Sequence, residues 1–338
     1  MTNSFDKRPG SCDSGKLLAR MMSYKASDVI DVALRLGIID NLKETPRTTE
    51  QLANQTSCDA DYLGTLLDFM VRIDVLQKQQ EQYAISESFS TMGPLILLEN
   101  ETRKWHAQND SLYKVMTTGL PQDPMNSPSE KLLEIYNLAL SNYKRSLALN
   151  IFRHNLVSKQ SHFIDLGGAD GALASELVRL NSIAFATVID RPHAEPAFQR
   201  RITAHKITNM RFIGADLNEL DLASVKTDAP SVICLSNVAH LLDLPARQAL
   251  WKRILETLED NAIFVMYDQF AQPSRKENES FAELTAADYM IIDWLKCAAN
   301  YDLTVGQQVK EIESCGFKML ENHPINVGGG AIISFRKL

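Results

Sequence analysis

Three acids at nearly equal spacing and one histidine are the residues of this chain best placed to do chemistry. The segment Phe163-Ile-Asp-Leu-Gly-Gly-Ala-Asp-Gly-Ala-Leu-Ala174 reads as an apolar strand ending at Asp165, a glycine turn through Gly167, Gly168 and Gly171, and the start of a helix. Glycine suits such a turn because a side chain would bar positive φ or hold a ligand off the backbone. A dinucleotide fingerprint needs G-x-G-x-x-G, and neither register of these glycines supplies it. Asp190 and Asp216 follow at intervals of 25 and 26 residues, about one strand–helix unit each. That spacing aligns three acids on the carboxyl edge of a parallel sheet, where open sheets bind ligands. Asp190 suits a ribose, since a carboxylate accepts from both hydroxyls of a vicinal diol. Asp216 with Leu217 suits an adenine, its amino group on the acid and its ring on the leucine. The competing reading is a plain strand–turn–helix corner with solvated acids.

The histidine lies in Cys234-Leu-Ser-Asn-Val-Ala-His240-Leu-Leu-Asp243, just beyond a fourth strand and so at the same edge. A side chain that titrates near neutrality is the natural base for removing a hydroxyl proton. Such a base needs an acid to fix its tautomer and stabilise its charged form. Asp268, ending the fifth strand in Val265-Met-Tyr-Asp268, is the first candidate, and Asp302 in Asn300-Tyr-Asp-Leu-Thr304 the second. The competing reading is a satisfied core histidine.

The elements that must position these residues fall into two textures. From Phe163 onward, strand-like runs at Phe163–Leu166, Phe185–Ile189, Met210–Ile213, Val232–Leu235, Ile263–Tyr267 and Ala331–Phe335 alternate with amphipathic stretches, which predicts a parallel sheet with helices on both faces. Before it, residues 1–14 read as a disordered leader. Leu17–Leu42 is apolar at helical spacing, with Gly37 placed to close the first helix. Thr48 and Asp59 are placed to cap two further helices, the second running Ala60–Asp74. Val75–Gln77 and Tyr83–Ile85 read as a hairpin. Helices followed by a hairpin make a winged-helix pattern, yet Ala60–Asp74 carries only Arg72 against Asp61, Asp68 and Asp74, unlike a DNA-reading helix. Packing or dimerisation is the expected role. Pro94–Asn155 reads as mostly helical, broken at Gly119–Pro124 and at Pro128.

Composition sets the outer bounds. The chain has 338 residues, enough for two domains, with 45% hydrophobic and 23% charged residues. A net charge of −7 and a pI near 5.6 argue against a nucleic-acid partner. No apolar run reaches the roughly 20 residues that span a bilayer, and the N-terminus lacks a signal-like apolar stretch, so no membrane contact and a cytoplasmic location are expected. Cys12, Cys58, Cys234, Cys297 and Cys315 are scattered and form no C-x-x-C pair, against both a disulfide framework and a metal site.

These motifs resemble the class I S-adenosylmethionine (SAM) O-methyltransferases of the plant-caffeate and bacterial-antibiotic type. The resemblance runs from Lys16 to Lys337 and includes Ala33–Asp40, Thr48–Ala53, Tyr62–Leu67, Asp165–Gly171, Asp190–His193, Ala215–Glu219 and Leu235–Leu242. It implies a mainly helical winged-helix dimerisation domain (residues 15–100), linking helices lining the acceptor pocket (101–158) and a Rossmann-like α/β SAM domain (159–338). It also implies a homodimer through the N-terminal domain, SAM as cofactor with S-adenosylhomocysteine as product, and no metal. The cofactor residues it implies are Asp165, Gly167, Gly168, Gly171, Asp190, Arg191, Asp216, Leu217, Ser236 and Asn237, with Tyr143 closing on the SAM carboxylate. The catalytic residues are His240, Asp268 and Asp302. The acceptor, a small aromatic hydroxyl compound, would meet Trp105, His106, Asn109, Tyr136, Leu140, Met290, Asp293 and Trp294.

The chain also departs from the family pattern. Leu241 and Leu242 replace an acid and a tryptophan, and Asp268 and Asp302 replace glutamates. Ser236 stands where a cation is frequent, and Ala169 replaces a glycine, a small change if its φ is negative. Three alternatives stay open: methylation of N or S; SAM as a non-donating cofactor in pericyclic, decarboxylating or hydroxylating chemistry; and a non-enzymatic dimeric regulator.

Overall fold

The computed structural model describes residues 18–19, 21–219, 221–225, 231–259, 262–270, 292–293, 295–297, 303–325 and 330–338. Contacts divide the chain into two compact units, Met1–Asn100 and Glu101–Leu338.

In the first unit, α1 (Tyr24–Arg35) stops where Gly37 adopts φ 72°, and α2 (Ile38–Leu42) follows directly. α3 (Thr49–Thr56) starts with a reciprocal capping box between Thr48 and Gln51. α4 (Ala60–Arg72) is capped by the Asp59 carboxylate, which accepts from the amides of Asp61 and Tyr62. β2 (Leu76–Gln79) and β3 (Gln82–Ile85) form the expected hairpin. A two-residue strand, β1 (Arg47–Thr48), adds to β3 and was not expected, being too short to carry a period. Ala33, Ile38, Leu52, Leu67, Met70 and Tyr83 fill the core. Asp61, Asp68 and Arg72 face outward on α4, so that surface is net acidic.

α5 (Glu87–Gln108) crosses the division between the units. It starts seven residues before Pro94, because the Ser86 hydroxyl accepts from the Phe89 amide and caps it. The second unit continues with α6 (Ser111–Thr118) and the long α7 (Glu130–Arg153). Five strands then run parallel: β4 (His162–Leu166), β5 (Phe185–Asp190), β6 (Met210–Gly214), β7 (Ser231–Ser236) and β8 (Ile263–Gln269). Between them lie α8 (Ala172–Arg179), α9 (Glu195–Ala204) and α10 (Leu244–Thr257), and after them α11 (Val305–Ser314). The sheet ends with β9 (Phe317–Ile325) and β10 (Gly330–Lys337), in spatial order β6-β5-β4-β7-β8-β10-β9.

The parallel sheet expected from the alternation is present in these five strands, and one edge adds an antiparallel pair. β10 contains the predicted run Ala331–Phe335 but pairs antiparallel to both β8 and β9. β9 escaped prediction because it is an outer strand, exposed along most of its length, and shows no alternation.

Both sheet faces are covered. Ile164, Leu166, Ile233, Leu235, Trp251 and Phe264 build one core, and Phe163, Val188, Val232, Cys234, Leu147 and Leu177 the other. From β4 the chain moves outward through β5 and β6, then returns to β7 on the opposite side. The switch point therefore lies between β4 and β7, and it is beyond the strands' carboxyl ends at such a point that open sheets bind ligands. No helix among the described residues is long and apolar enough to cross a membrane.

Candidate functional site

The glycine turn bridges β4 and α8 at that switch point. Gly167 has φ 68° and Gly171 φ 76°, and a Cβ on Gly167 would lie 2.4 Å from Val238 Cγ2. A Cβ on Gly168 would meet the buried Asp165 Cγ at 2.7 Å, so only bare backbone fits at this turn. Ala169 has φ 50° and so does not meet the condition under which replacing a glycine there is a small change. It is held there because its amide donates to Asp190 Oδ2 at 2.8 Å, while the other oxygen of Asp190 accepts from the Arg191 amide at 2.7 Å. Asp190 thus ties the turn to the end of β5. Asp170 anchors the other side: its Oδ2 accepts from Arg201 Nε at 2.9 Å, and the same guanidinium donates to Ser141 Oγ.

A buried polar group lies beneath the turn. Asp165 is fully buried, neither of its oxygens has a hydrogen-bond partner, and burial raises its pKa to about 7 against the opposing field of Lys144. Lys144, on α7, is also buried and donates a short hydrogen bond to the Ser236 hydroxyl at the end of β7. The next residue, Asn237, turns away with φ 58°, its amide donating to the Tyr267 carbonyl at 3.0 Å. Tyr143 packs edge-to-face on Tyr267, their centroids 5.3 Å apart, and both hydroxyls are buried without a partner.

His240 lies on a short 3-10 turn beyond β7. Its Nδ1 is 2.7 Å from Asp268 Oδ1, and its backbone amide donates to Asp268 Oδ2 at 3.3 Å. The Asp268 side chain is 2% exposed and the imidazole 19%, so the ring is held from behind and reachable from the front. Burial disfavours the charged ring, but the Asp268 charge and hydrogen bond, with a smaller contribution from Asp123, outweigh it and raise the pKa.

Asp123 was not singled out from the sequence, where it looked like part of a Gly/Pro break. The break is a bound segment: the Gln122 amide donates to the Lys296 carbonyl at 2.7 Å, and Arg191 donates to the Met125 carbonyl at 3.1 Å. It carries Asp123 into the fields of His240, Arg191, Tyr136 and Cys297. Burial raises the Asp123 pKa, partly offset by the Met125 amide and Arg191. An acid four residues from Gly119 and flanked by Pro121 and Pro124 was the available sequence signal.

The remaining candidates sort by position. Asp216 is exposed at the end of β6 and accepts from the Asn218 amide, with Leu217 half-buried against the core. Trp105 and His106 meet edge-to-face at 5.2 Å, and Asn109 Nδ2 donates to the Trp105 carbonyl. Burial lowers His106 to about 4, with Lys296 adding to the effect. Asp293 pairs with Lys296 at 2.5 Å, which joins these residues through Cys297 to the Asp123 group. Tyr136 and Leu140 are half-buried on α7. Asp302, Met290 and Trp294 lie outside the described residues. Among the described residues no cluster of three metal-capable side chains occurs.

Comparison with known proteins supports the fold and its class. Residues 19–91 match the O-methyltransferase dimerisation domain. The tetracenomycin polyketide synthesis 8-O-methyl transferase TcmO of Streptomyces glaucescens is 32% identical over 120 residues, 35% of this chain and only 34% of that protein's length. The N,N-dimethyltransferase OxyT of Streptomyces rimosus is 23% identical over 279 residues, 76% of this chain and 79% of its own. The crystal structure of human N-acetylserotonin methyltransferase in complex with SAM superposes with a TM-score of 0.74 at 19% identity, covering 98% of this chain and 99% of that one. The chain therefore joins an O-methyltransferase dimerisation domain to a fold shared with named methyltransferases.

Proposed function

We propose that this protein is a SAM-dependent O-methyltransferase acting on a hydroxyl of a small aromatic compound, with His240 as general base. The observation that carries the reading is the His240–Asp268 pair, 2.7 Å apart at the switch-point edge that also bears the glycine turn. The residues present fit the cofactor. Asp190 ends β5 with its carboxylate beside the turn, Val238 and Asp165 leave no room for a side chain at Gly167 or Gly168 so that the turn stays bare backbone, and buried polar groups lacking partners lie beneath it. Asp190 would hold the ribose, Asp216 and Leu217 the adenine, and Asn237 and Arg191 would shape the rim.

When bound, SAM supplies a methyl carbon activated by its sulfonium. Asp268 accepts a hydrogen bond from His240 Nδ1–H, which fixes the tautomer and leaves Nε2 as the proton acceptor. His240 would take the proton of the acceptor hydroxyl, which frees the oxygen to receive the methyl group that bound SAM would supply. The products would be S-adenosylhomocysteine, the methylated acceptor and an imidazolium whose charge Asp268 and Asp123 stabilise. Trp105, His106, Asn109, Tyr136, Leu140 and Asp293 would line the acceptor side, where a flat ring gains most from aromatic contacts.

A screen of SAM consumption across phenols, hydroxyquinones and hydroxylated heteroaromatics identifies the acceptor. With it, His240→Ala should retain SAM affinity and lose about 10²–10⁴-fold in turnover, the usual scale of general-base assistance. Unchanged turnover would remove His240 from the chemistry. One relative gives a second reading: OxyT, aligned over most of its length, is named as an N,N-dimethyltransferase. An amine acceptor needs less base assistance, so on that reading amines are consumed in the screen and His240→Ala keeps most of its rate.

A further inference from the structure

We propose that Lys144 is the cation that holds the carboxylate of the amino-acid arm of bound SAM. The assignment rests on the cofactor reading above and adds to it a residue from outside the sheet edge. Lys144 starts an apolar stripe on α7, with Leu147, Ala148 and Ile151 at helical spacing, all three buried in the core on that face of the sheet. A lysine opening such a stripe is drawn under the sheet with its helix, and it is 6% exposed.

An ammonium carries three donors, and buried charges are normally paired. Here the recorded partner is one hydroxyl, Ser236 Oγ, and no described carboxylate forms an ion pair with Lys144. Asp165 lies one strand away, on β4, fully buried with both oxygens lacking a partner. Were Lys144 simply the counter-ion of Asp165, a contact within ion-pair distance would be expected between two residues so close. Instead no hydrogen bond or ion pair joins the two described side chains, Lys144 acting on Asp165 only through its field, and the Tyr143 hydroxyl is a third buried group without a partner.

Their placement identifies the ligand chemistry. Ser236 follows Leu235, which is in register with Leu166, so the hydroxyl that holds the ammonium lies at the strand ends where the chain enters the glycine turn at Gly167. A buried ammonium and a buried carboxyl group close to a bare glycine turn complement a zwitterion, and the amino-acid arm of SAM is one. Lys144 and Ser236, with the Tyr143 hydroxyl, face its carboxylate; Asp165 supports the end that carries its ammonium.

The test is calorimetric binding of SAM and of S-adenosylmethioninamine, which lacks only the carboxylate, to the wild-type chain and to Lys144→Met and Lys144→Gln. Thermal melts verify that each variant is folded, and Gln retains a donor for Ser236. The wild type should prefer SAM at least tenfold. In either folded variant SAM should weaken at least tenfold, the analogue should change less than threefold, and the preference should vanish. Equal weakening of both ligands, or an unchanged preference, would overturn the assignment and leave Lys144 a structural residue. A wild-type chain that binds neither ligand would overturn the cofactor reading and this assignment with it; one that binds both without preference overturns the assignment alone.

Discussion

At the scale of single residues, the His240–Asp268 pair makes a signed prediction about pH. The pKa of His240 is raised, so its base form accumulates only as pH climbs past that raised value. The acid limb of kcat/KM should therefore lie above the ordinary imidazole range. Asp268→Asn removes the main source of the shift, so the limb should move to lower pH while the plateau falls about 100-fold, the lower end of general-base effects. Asp123→Asn should move the limb the same way by less, with SAM affinity unchanged; a limb that stays put would separate Asp123 from the base. Ala169 gives a stability prediction. An L-residue in the left-handed region costs about 1–2 kcal/mol, and a glycine gives back about 0.4–1 kcal/mol through the unfolded chain. Ala169→Gly should thus stabilise by about 0.5 kcal/mol, read from the denaturant midpoint. His240 and Asp268 were legible because strand ends fix where a side chain can go. Asp123 and Lys144 were not: one is placed by a loop's hydrogen bonds and the other by which way a helix faces, and neither leaves a period in the sequence.

At the scale of elements, the site depends on ties between the turn and its neighbours. Asp170 and Arg201 pair at 2.5 Å with side chains 9% and 15% exposed, and Arg201 reaches on to Ser141, so one guanidinium joins the turn, α9 and α7. Breaking a fully buried pair costs about 3–5 kcal/mol; with partial exposure, Arg201→Met should cost about 2 kcal/mol in chemical unfolding. Because α7 also carries Lys144, the same change should weaken SAM binding, whereas loosening the distant Arg247–Glu311 pair should cost stability without that loss. The five parallel strands and three helix caps could be read from alternation and from Thr48, Asp59 and Gly37. β1, β9 and the start of α5 could not. A two-residue strand has no period, an exposed outer strand needs no apolar face, and Pro94 marks a helix boundary only when nothing upstream caps the chain.

At the scale of the whole molecule, the exposed apolar residues of the first unit call for a partner. Leu18, Met21, Met22, Tyr24 and Val32 are all exposed along the N-terminal helical stretch, with Met92 and Leu95 exposed on α5. Scattered apolar residues on a surface need no explanation, but a run of them on consecutive turns does. Most of these residues lie in the stretch that matches the O-methyltransferase dimerisation domain, which supports a homodimer. A second copy covering them removes the exposure at no cost to the first unit's core, which is built from Ala33, Leu52, Leu67 and Met70 instead. The wild-type chain should therefore sediment as a dimer at micromolar concentration. Met21→Glu with Val32→Glu places two like charges on the covered face of each copy and should shift the boundary to monomer. Because both positions are exposed, the far-ultraviolet dichroism of the variant should match the wild type. A wild-type chain that sediments as a monomer at tens of micromolar would leave that apolar run without its partner, and a variant that stays dimeric would move the interface to another face.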